Sequence, residues 1–242
     1  MIMAAGKGTR LGKITETIPK VLVDVSGKSL LQMAVETCAR YGFDDIIVNV
    51  HYMAEMVEEE ISRLNRLGFR ITVSDERELL LENGGGLYKA RDFFDSSPFL
   101  VFNADIVTDL DLSSLYRYHI KKNGLATLAV RNREGNRFLL INTEGLLKGW
   151  CNLVTGEKIL ADNGKEDLFK VGFSSLQIIE PEIFKYMKDG IYTIVSLYLE
   201  LASSYNIYTL RYDCGYWFNV GTPEELEKVR EFTSQRSLDF PE

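Results

Sequence analysis

Positive charge is what this chain lacks first. Its 28 Lys and Arg are outnumbered by 35 Asp and Glu, which leaves a net charge of −7 over 242 residues. A chain this acidic carries no electrostatic footprint for nucleic acid. An anionic ligand must then be met by local cations rather than by a global field. Cysteine is scarce as well: Cys38, Cys151 and Cys214 are widely spaced and odd in number. That pattern suggests neither a disulfide framework nor a zinc site. No apolar run reaches membrane-spanning length, and no leader pattern opens the chain. The expectation is a cytoplasmic protein with no membrane partner. Histidine occurs only at 51 and 119. His119 reads as a surface residue of a helix and His51 as structural. No linker and no internal repeat interrupts the sequence.

What is present is an ordinary globular composition, 45% hydrophobic and 26% charged, in a chain of a size that folds as one large α/β domain. Ser29 to Tyr41 has helical spacing, with Ser29 as N-cap and Gly42 just past the end. Asp45 to Val50 is a β-branched strand, Ala54 to Leu67 a second amphipathic helix with Glu58 to Glu60 on its solvated face, and Phe69 to Val73 a third strand. This alternation predicts an α/β fold with a doubly wound, mostly parallel sheet. Ligands in such sheets sit outside the carboxyl ends of the strands.

The strand ends therefore carry the information. Met1 to Ala4 is apolar and runs into small residues, Ala5, Gly6 and Gly8, then Thr9 and Arg10, with Pro19-Lys20 further on. Small residues let backbone approach a ligand, and a tight glycine turn gathers N–H groups into an anion-binding concavity. Arg10 and Lys20 add a planar fork and a point charge suited to phosphate. The spacing does not fit a P-loop, and Leu11 stands where a dinucleotide fingerprint needs glycine. Ile14 to Pro19 shows no helical pattern. Glu82-Asn83 precede a triple glycine, Gly84 to Gly86, which reads as the opening of a helix over Leu87 to Phe94. Glycines there leave N–H groups free and let a flat base lie on bare backbone. The strand Pro98 to Phe102 ends in Asn103-Ala104-Asp105, where a carboxylate is a natural Mg²⁺ ligand. Asp111 to Lys122 reads as an Asp-capped helix.

The second half changes pattern. Strands are expected at Leu125 to Val130, Arg137 to Asn142, Gly145 to Trp150, Lys170 to Ile179 and Tyr205 to Arg211, as an antiparallel or mixed extension. Helices are expected at Pro181 to Met187, Ile194 to Ser203 and Glu224 to Phe232, the last opened by Thr222-Pro223. The residues after Thr233 read as a polar tail.

The order Gly-x-Gly-Thr-Arg-Leu, Pro-Lys, triple glycine, Asn-Ala-Asp and Trp-x-Asn-Val-Gly-Thr-Pro runs over nearly the whole chain. It resembles the sugar-1-phosphate nucleotidylyltransferases, and within them the short N-acetylmuramate-1-phosphate uridylyltransferase and mannose-1-phosphate guanylyltransferase-like members. The resemblance implies a glycosyltransferase-A-like, Rossmann-like domain over 1–233. Residues 1–124 would bind NTP, 125–233 would bind sugar phosphate, and 234–242 would be the tail. Longer members carry a C-terminal β-helix or extra helices, for which this chain has no room. Related enzymes usually carry a few residues before the position of Met1.

The resemblance also implies roles. Ala4, Ala5, Gly6, Gly8, Thr9 and Arg10 would wrap the NTP, and Lys20 would neutralise phosphate charge. Glu76, Asn83 and Gly84 would lie near the base. Asp105 would hold Mg²⁺. Phe173, Ser174 and Ser175 fall where the family contacts the sugar, with Ser175 in place of a common glycine. A monomer or small homo-oligomer is expected. One departure bears on chemistry: Asn219 stands where the family has an aspartate as second Mg²⁺ ligand. Two alternatives stay open, a nucleotide-sugar-binding or regulatory module with catalysis weakened at Asn219, and cytidylyl transfer to a non-sugar phosphate such as phosphocholine.

Overall fold

Ile2 and Met3 form β1, and the small residues after them leave the sheet at once. The computed structural model describes residues 1–162 and 167–235. A loop is expected after β1, but 3-10 turns cover Thr9–Glu16 and Lys20–Leu22, the first broken at Gly12 with φ 60°. A small hairpin follows, β2 (Asp24–Val25) and β3 (Lys28–Ser29). Helix α1 (Leu30–Arg40) starts where Ser29 Oγ accepts the Gln32 N–H at 3.0 Å. Then come β4 (Asp45–Val50), α2 (Ala54–Arg66), β5 (Arg70–Asp75), α3 (Glu82–Lys89), β6 (Phe99–Asn103) and β7 (Ile106–Thr108). Helix α4 (Leu112–Lys122) is capped by the Asp111 carboxylate, which accepts the Ser113 and Ser114 N–H groups. Strands β8 (Ala126–Arg131), β9 (Arg137–Ile141), β10 (Leu147–Asn152), β11 (Lys158–Leu160) and β12 (Phe169–Ile179) follow. The remaining elements are α5 (Ile194–Leu201), β13 (Ile207–Arg211), β14 (Trp217–Asn219) and α6 (Pro223–Gln235). A 3-10 turn at Pro181–Lys185 replaces the expected helix. Of the expected tail, Ser234 and Gln235 belong to α6, and the rest lies outside the described residues.

The chain divides into two interleaved units. Unit one comprises Met1–Leu80, Phe102–Leu110 and the segment from Tyr216; unit two comprises Leu81–Val101 and Asp111–Gly215. In unit one the end of β6, β1, β4 and β5 lie side by side and wholly parallel. Leu11, Val23, Leu30, Val107, Val220 and Leu226 belong to one apolar cluster there, which ties the glycine segment to β7, β14 and α6. In unit two β11, β10, β9, β12 and β8 pair antiparallel in turn, and β13 pairs parallel with β8. The expected α/β class stands, with a parallel first part and a mixed second. The solvated face expected for α2 holds at exposed Glu59 but not at Glu60. Glu60 accepts hydrogen bonds from Arg63 and Ser29, and the Arg63 contact holds its carboxyl below the usual range.

His119 is a correction: it is not on the surface but 0% exposed. Nδ1 lies 2.9 Å from Thr127 Oγ1 and Nε2 3.1 Å from Glu180 Oε1. Burial holds the imidazole below its usual pKa of 6.5, against an upward pull from Glu180. The unfolded chain thus takes up a proton that the native state refuses. Stability is full above pH 6.5 and falls as pH drops below it. His119→Gln should flatten that slope, measured as the urea midpoint across the acid range.

Candidate functional site

The glycine segment leaves β1 through buried Ala4 and Ala5. The Ala4 N–H donates to Asn49 Oδ1 at 2.6 Å. Gly6 is exposed, with no atom within 4 Å of where a Cβ would stand. Gly8 must be glycine twice over: its φ is +64°, and a Cβ would lie 2.7 Å from Lys20 Cβ. Its carbonyl accepts from the Leu11 N–H and the Thr15 hydroxyl. Thr9 and Arg10 are exposed. The Arg10 guanidinium lies against Gly221, where a Cβ would stand 2.7 Å from Nη2. The glycine of the Asn-Val-Gly-Thr-Pro segment thus makes room for Arg10.

Lys20 is 8% exposed, and its Nζ lies 2.5 Å from Asp105 Oδ2. Asn219 pairs with Ile106 where β14 meets β7, and the Val220 N–H donates to the Asp105 carbonyl at 2.8 Å. That register sets Asn219 beside Asp105. Asp105 Oδ1 and Asn219 Oδ1 are both buried with no hydrogen-bond partner. Buried oxygens without partners are rare in native structures. Two of them on neighbouring residues are candidate donors to a cation. Among the described residues no three His, Cys, Asp or Glu side chains gather into a larger cluster.

Glu76 also lies in unit one, 1% exposed, with Oε1 accepting from Asn49 Nδ2 at 2.9 Å. Asn83 and Gly84 lie in unit two. Asn83 Oδ1 accepts the Ile194 N–H at 2.8 Å and so caps α5. The triple glycine lies inside α3 rather than at its start. The Gly84 N–H is taken by the Tyr192 carbonyl, and a Cβ there would stand 2.6 Å from the Tyr192 ring. At Gly85 a Cβ would lie 2.0 Å from the Gly190 carbonyl oxygen. These glycines let the 190–192 backbone approach the helix.

Phe173 and Ser175 line a cavity of about 490 Å³ in unit two, with Asn83, Arg133, Phe138 and Trp150 among its walls. Ser174 is buried and off that lining. Gly172 carries no Cβ where the Arg133 stem crosses it, at 2.4 Å from Arg133 Cγ. Burial lowers the Arg133 pKa. Ser175 sits at φ 62°, in the left-handed region, inside the irregular register between Phe173 and Gln177. A glycine would hold that turn without the Cβ clash. Ser175→Gly should raise stability by about 0.5–1 kcal/mol. A higher urea midpoint at unchanged slope would show it, and a lower midpoint would contradict it.

This parallel sheet, with a glycine turn at a strand end and a buried Lys20 paired to a half-buried Asp105, is that of an α/β protein carrying groups suited to an anion. Residues 1–147, more than half the chain, match the family model described as nucleotidyl transferase. The chain belongs to the nucleotidyl transferase family. It is 31% identical over 203 residues to a UTP–glucose-1-phosphate uridylyltransferase of Synechocystis, covering 78% of this chain but 51% of that one. It is 30% identical over 235 residues to an N-acetylmuramate alpha-1-phosphate uridylyltransferase of Caulobacter vibrioides, covering 93% of this chain and 92% of the relative. Among solved structures, HddC from Yersinia pseudotuberculosis complexed with GMP-PN shares the fold with a TM-score of 0.74 at 20% identity, over 96% and 97% of the two chains. No helix among the described residues is long and apolar enough to cross a membrane.

Proposed function

We propose that this protein joins an NTP to a sugar 1-phosphate, releasing pyrophosphate, by uridylyl or guanylyl transfer. The supporting observation is the glycine segment packed on the stem of Lys20, whose ammonium meets Asp105. An acceptor phosphate oxygen forms a bond to the α-phosphorus while the bond from that phosphorus to the bridging oxygen breaks. The acceptor oxygen is already ionised at neutral pH, so no general base is required. The work of the site is alignment and charge stabilisation. Gly6, Gly8 and Thr9 offer backbone to the triphosphate, and Arg10 and Lys20 offset the charge that grows on the leaving group.

The partnerless oxygens of Asp105 and Asn219 fit a hard cation, since Mg²⁺ takes oxygen donors and commonly one or two carboxylates plus phosphates. Those two residues would hold Mg²⁺, which supplies neutralisation of phosphate charge. The cavity with Phe173, Ser175 and Arg133 would take the acceptor. Asn83 and Gly84 stand as the candidates near the base, and Glu76, 1% exposed, would act through its neighbours rather than on the base itself.

Pyrophosphate release tests the reading. Purified protein with Mg²⁺ is offered UTP, GTP, CTP, ATP and dTTP against a panel of sugar 1-phosphates. Release that requires both partners, with UTP or GTP favoured, is expected. Silence with every pair would overturn the reading.

A further inference from the structure

Three groups that take no part in the bond exchange form one chain of hydrogen bonds in unit one. Glu76 Oε1 accepts from Asn49 Nδ2 at 2.9 Å, and Asn49 Oδ1 accepts the Ala4 N–H at 2.6 Å. Asn49 is 3% exposed and Glu76 1%. The strands bring them near one another: Met3 is level with Asn49 in the β1–β4 pair and Asn49 with Ser74 in the β4–β5 pair, so Ala4 and Glu76 each follow just past a strand end. Glu76 is fixed in turn by its own backbone, through its N–H to the Val50 carbonyl at 2.8 Å and its carbonyl 2.7 Å from His51 Nδ1.

Ala4 is where β1 ends and the glycine segment begins. Its N–H points to a side chain rather than to a ladder partner, so the direction in which the segment leaves the sheet depends on Asn49. An amide that donates to a carboxylate becomes a better acceptor at its oxygen. The order of the three groups therefore strengthens the bond that holds Ala4. A carboxylate this buried is expensive to keep unless it serves its neighbours.

We infer that Asn49 is a positioning residue for the glycine segment, with Glu76 orienting it, and that the pair sets NTP affinity without touching the nucleotide. This rests on the reading of that segment as the NTP site. It also gives Glu76 a task its burial permits.

The test is an exchange of donor and acceptor. Asn49→Asp keeps an oxygen for Ala4 but sets a carboxylate against Glu76. Its NTP affinity should fall on the order of tenfold, seen as a raised KM with kcat changed less, and the Ala4 amide should exchange faster in the free protein. Adding Glu76→Gln restores the hydrogen bond with its direction reversed: the introduced amide donates to the introduced carboxylate, at the original net charge. The double variant should return to within about threefold of wild type in both readouts. A single variant that binds like wild type, or a double variant no better than the single, would overturn the inference. If wild type binds no NTP, the functional reading fails, and Ala4 amide exchange across the same variants still decides the role of Asn49.

Discussion

Asp105→Ala is expected to lower turnover about a thousandfold, the scale of losing one charge-stabilising group in a water-excluded site. Two effects must be separated. Asp105 is the partner of Lys20, which is 8% exposed, so alanine strands a buried ammonium. Breaking it should cost stability, by less than the about 3–5 kcal/mol of a fully buried pair because the Asp105 side chain is 22% exposed. Asp105→Asn separates the effects: it leaves an acceptor for Lys20 and the shape of the side chain, but removes the charge. Its melting temperature should stay nearer wild type while turnover still falls by orders of magnitude. Lys20→Met is the converse probe. It keeps the stem that packs on Gly8 and deletes only the ammonium. Its turnover should also fall by about two orders of magnitude or more. Pyrophosphate release at saturating substrates, read beside thermal melts, checks all three. Wild-type turnover in Asp105→Asn or Lys20→Met would remove that residue from the mechanism.

What could be read before the structure was local. Ser29, Asp111 and Thr222 cap helices because a short polar side chain before an apolar periodic run has one obvious job. The glycine segment was legible for the same reason: small residues after a strand announce close approach. Distant partners were not legible. The triple glycine reads as a bare helix start, yet its missing side chains are filled by Tyr192 and Gly190, more than a hundred residues away. His119 has no local reason to be buried, since Thr127 and Glu180 give it its place. Asn49 looked like one more residue of a β-branched strand, and only the register that sets it beside Met3 gives it a task. Strands β7 and β14, three residues each, are too short to show a period, and their pairing is what brings Asn219 to Asp105. Ser175 is the intermediate case: its departure from a common glycine was visible in sequence, and φ 62° supplies the physical reason glycine is common there.

Asn219→Asp is the second large effect expected, and its sign depends on the metal. The change replaces an amide by a carboxylate of the same shape on the residue that the β7–β14 register sets beside Asp105. Without a divalent cation it sets two carboxylates together with Lys20 as the cation paired at Asp105. Like charges so placed destabilise, so the metal-free variant should melt below wild type. With Mg²⁺ the balance reverses, because a second anionic oxygen suits a hard cation better than a carbonyl. Half-saturating Mg²⁺ should fall about tenfold, which by mass action adds about 1.4 kcal/mol of metal-dependent stability at saturation. The melting temperature of the variant should therefore climb with Mg²⁺ more steeply than that of wild type, whether or not turnover is measured. Pyrophosphate release should rise most at low Mg²⁺ and converge with wild type at high Mg²⁺. Identical Mg²⁺ responses in both proteins would mean that Asn219 does not face the metal. Release from the variant alone, with wild type silent at every Mg²⁺ concentration, would favour a chain whose asparagine had traded transfer for binding.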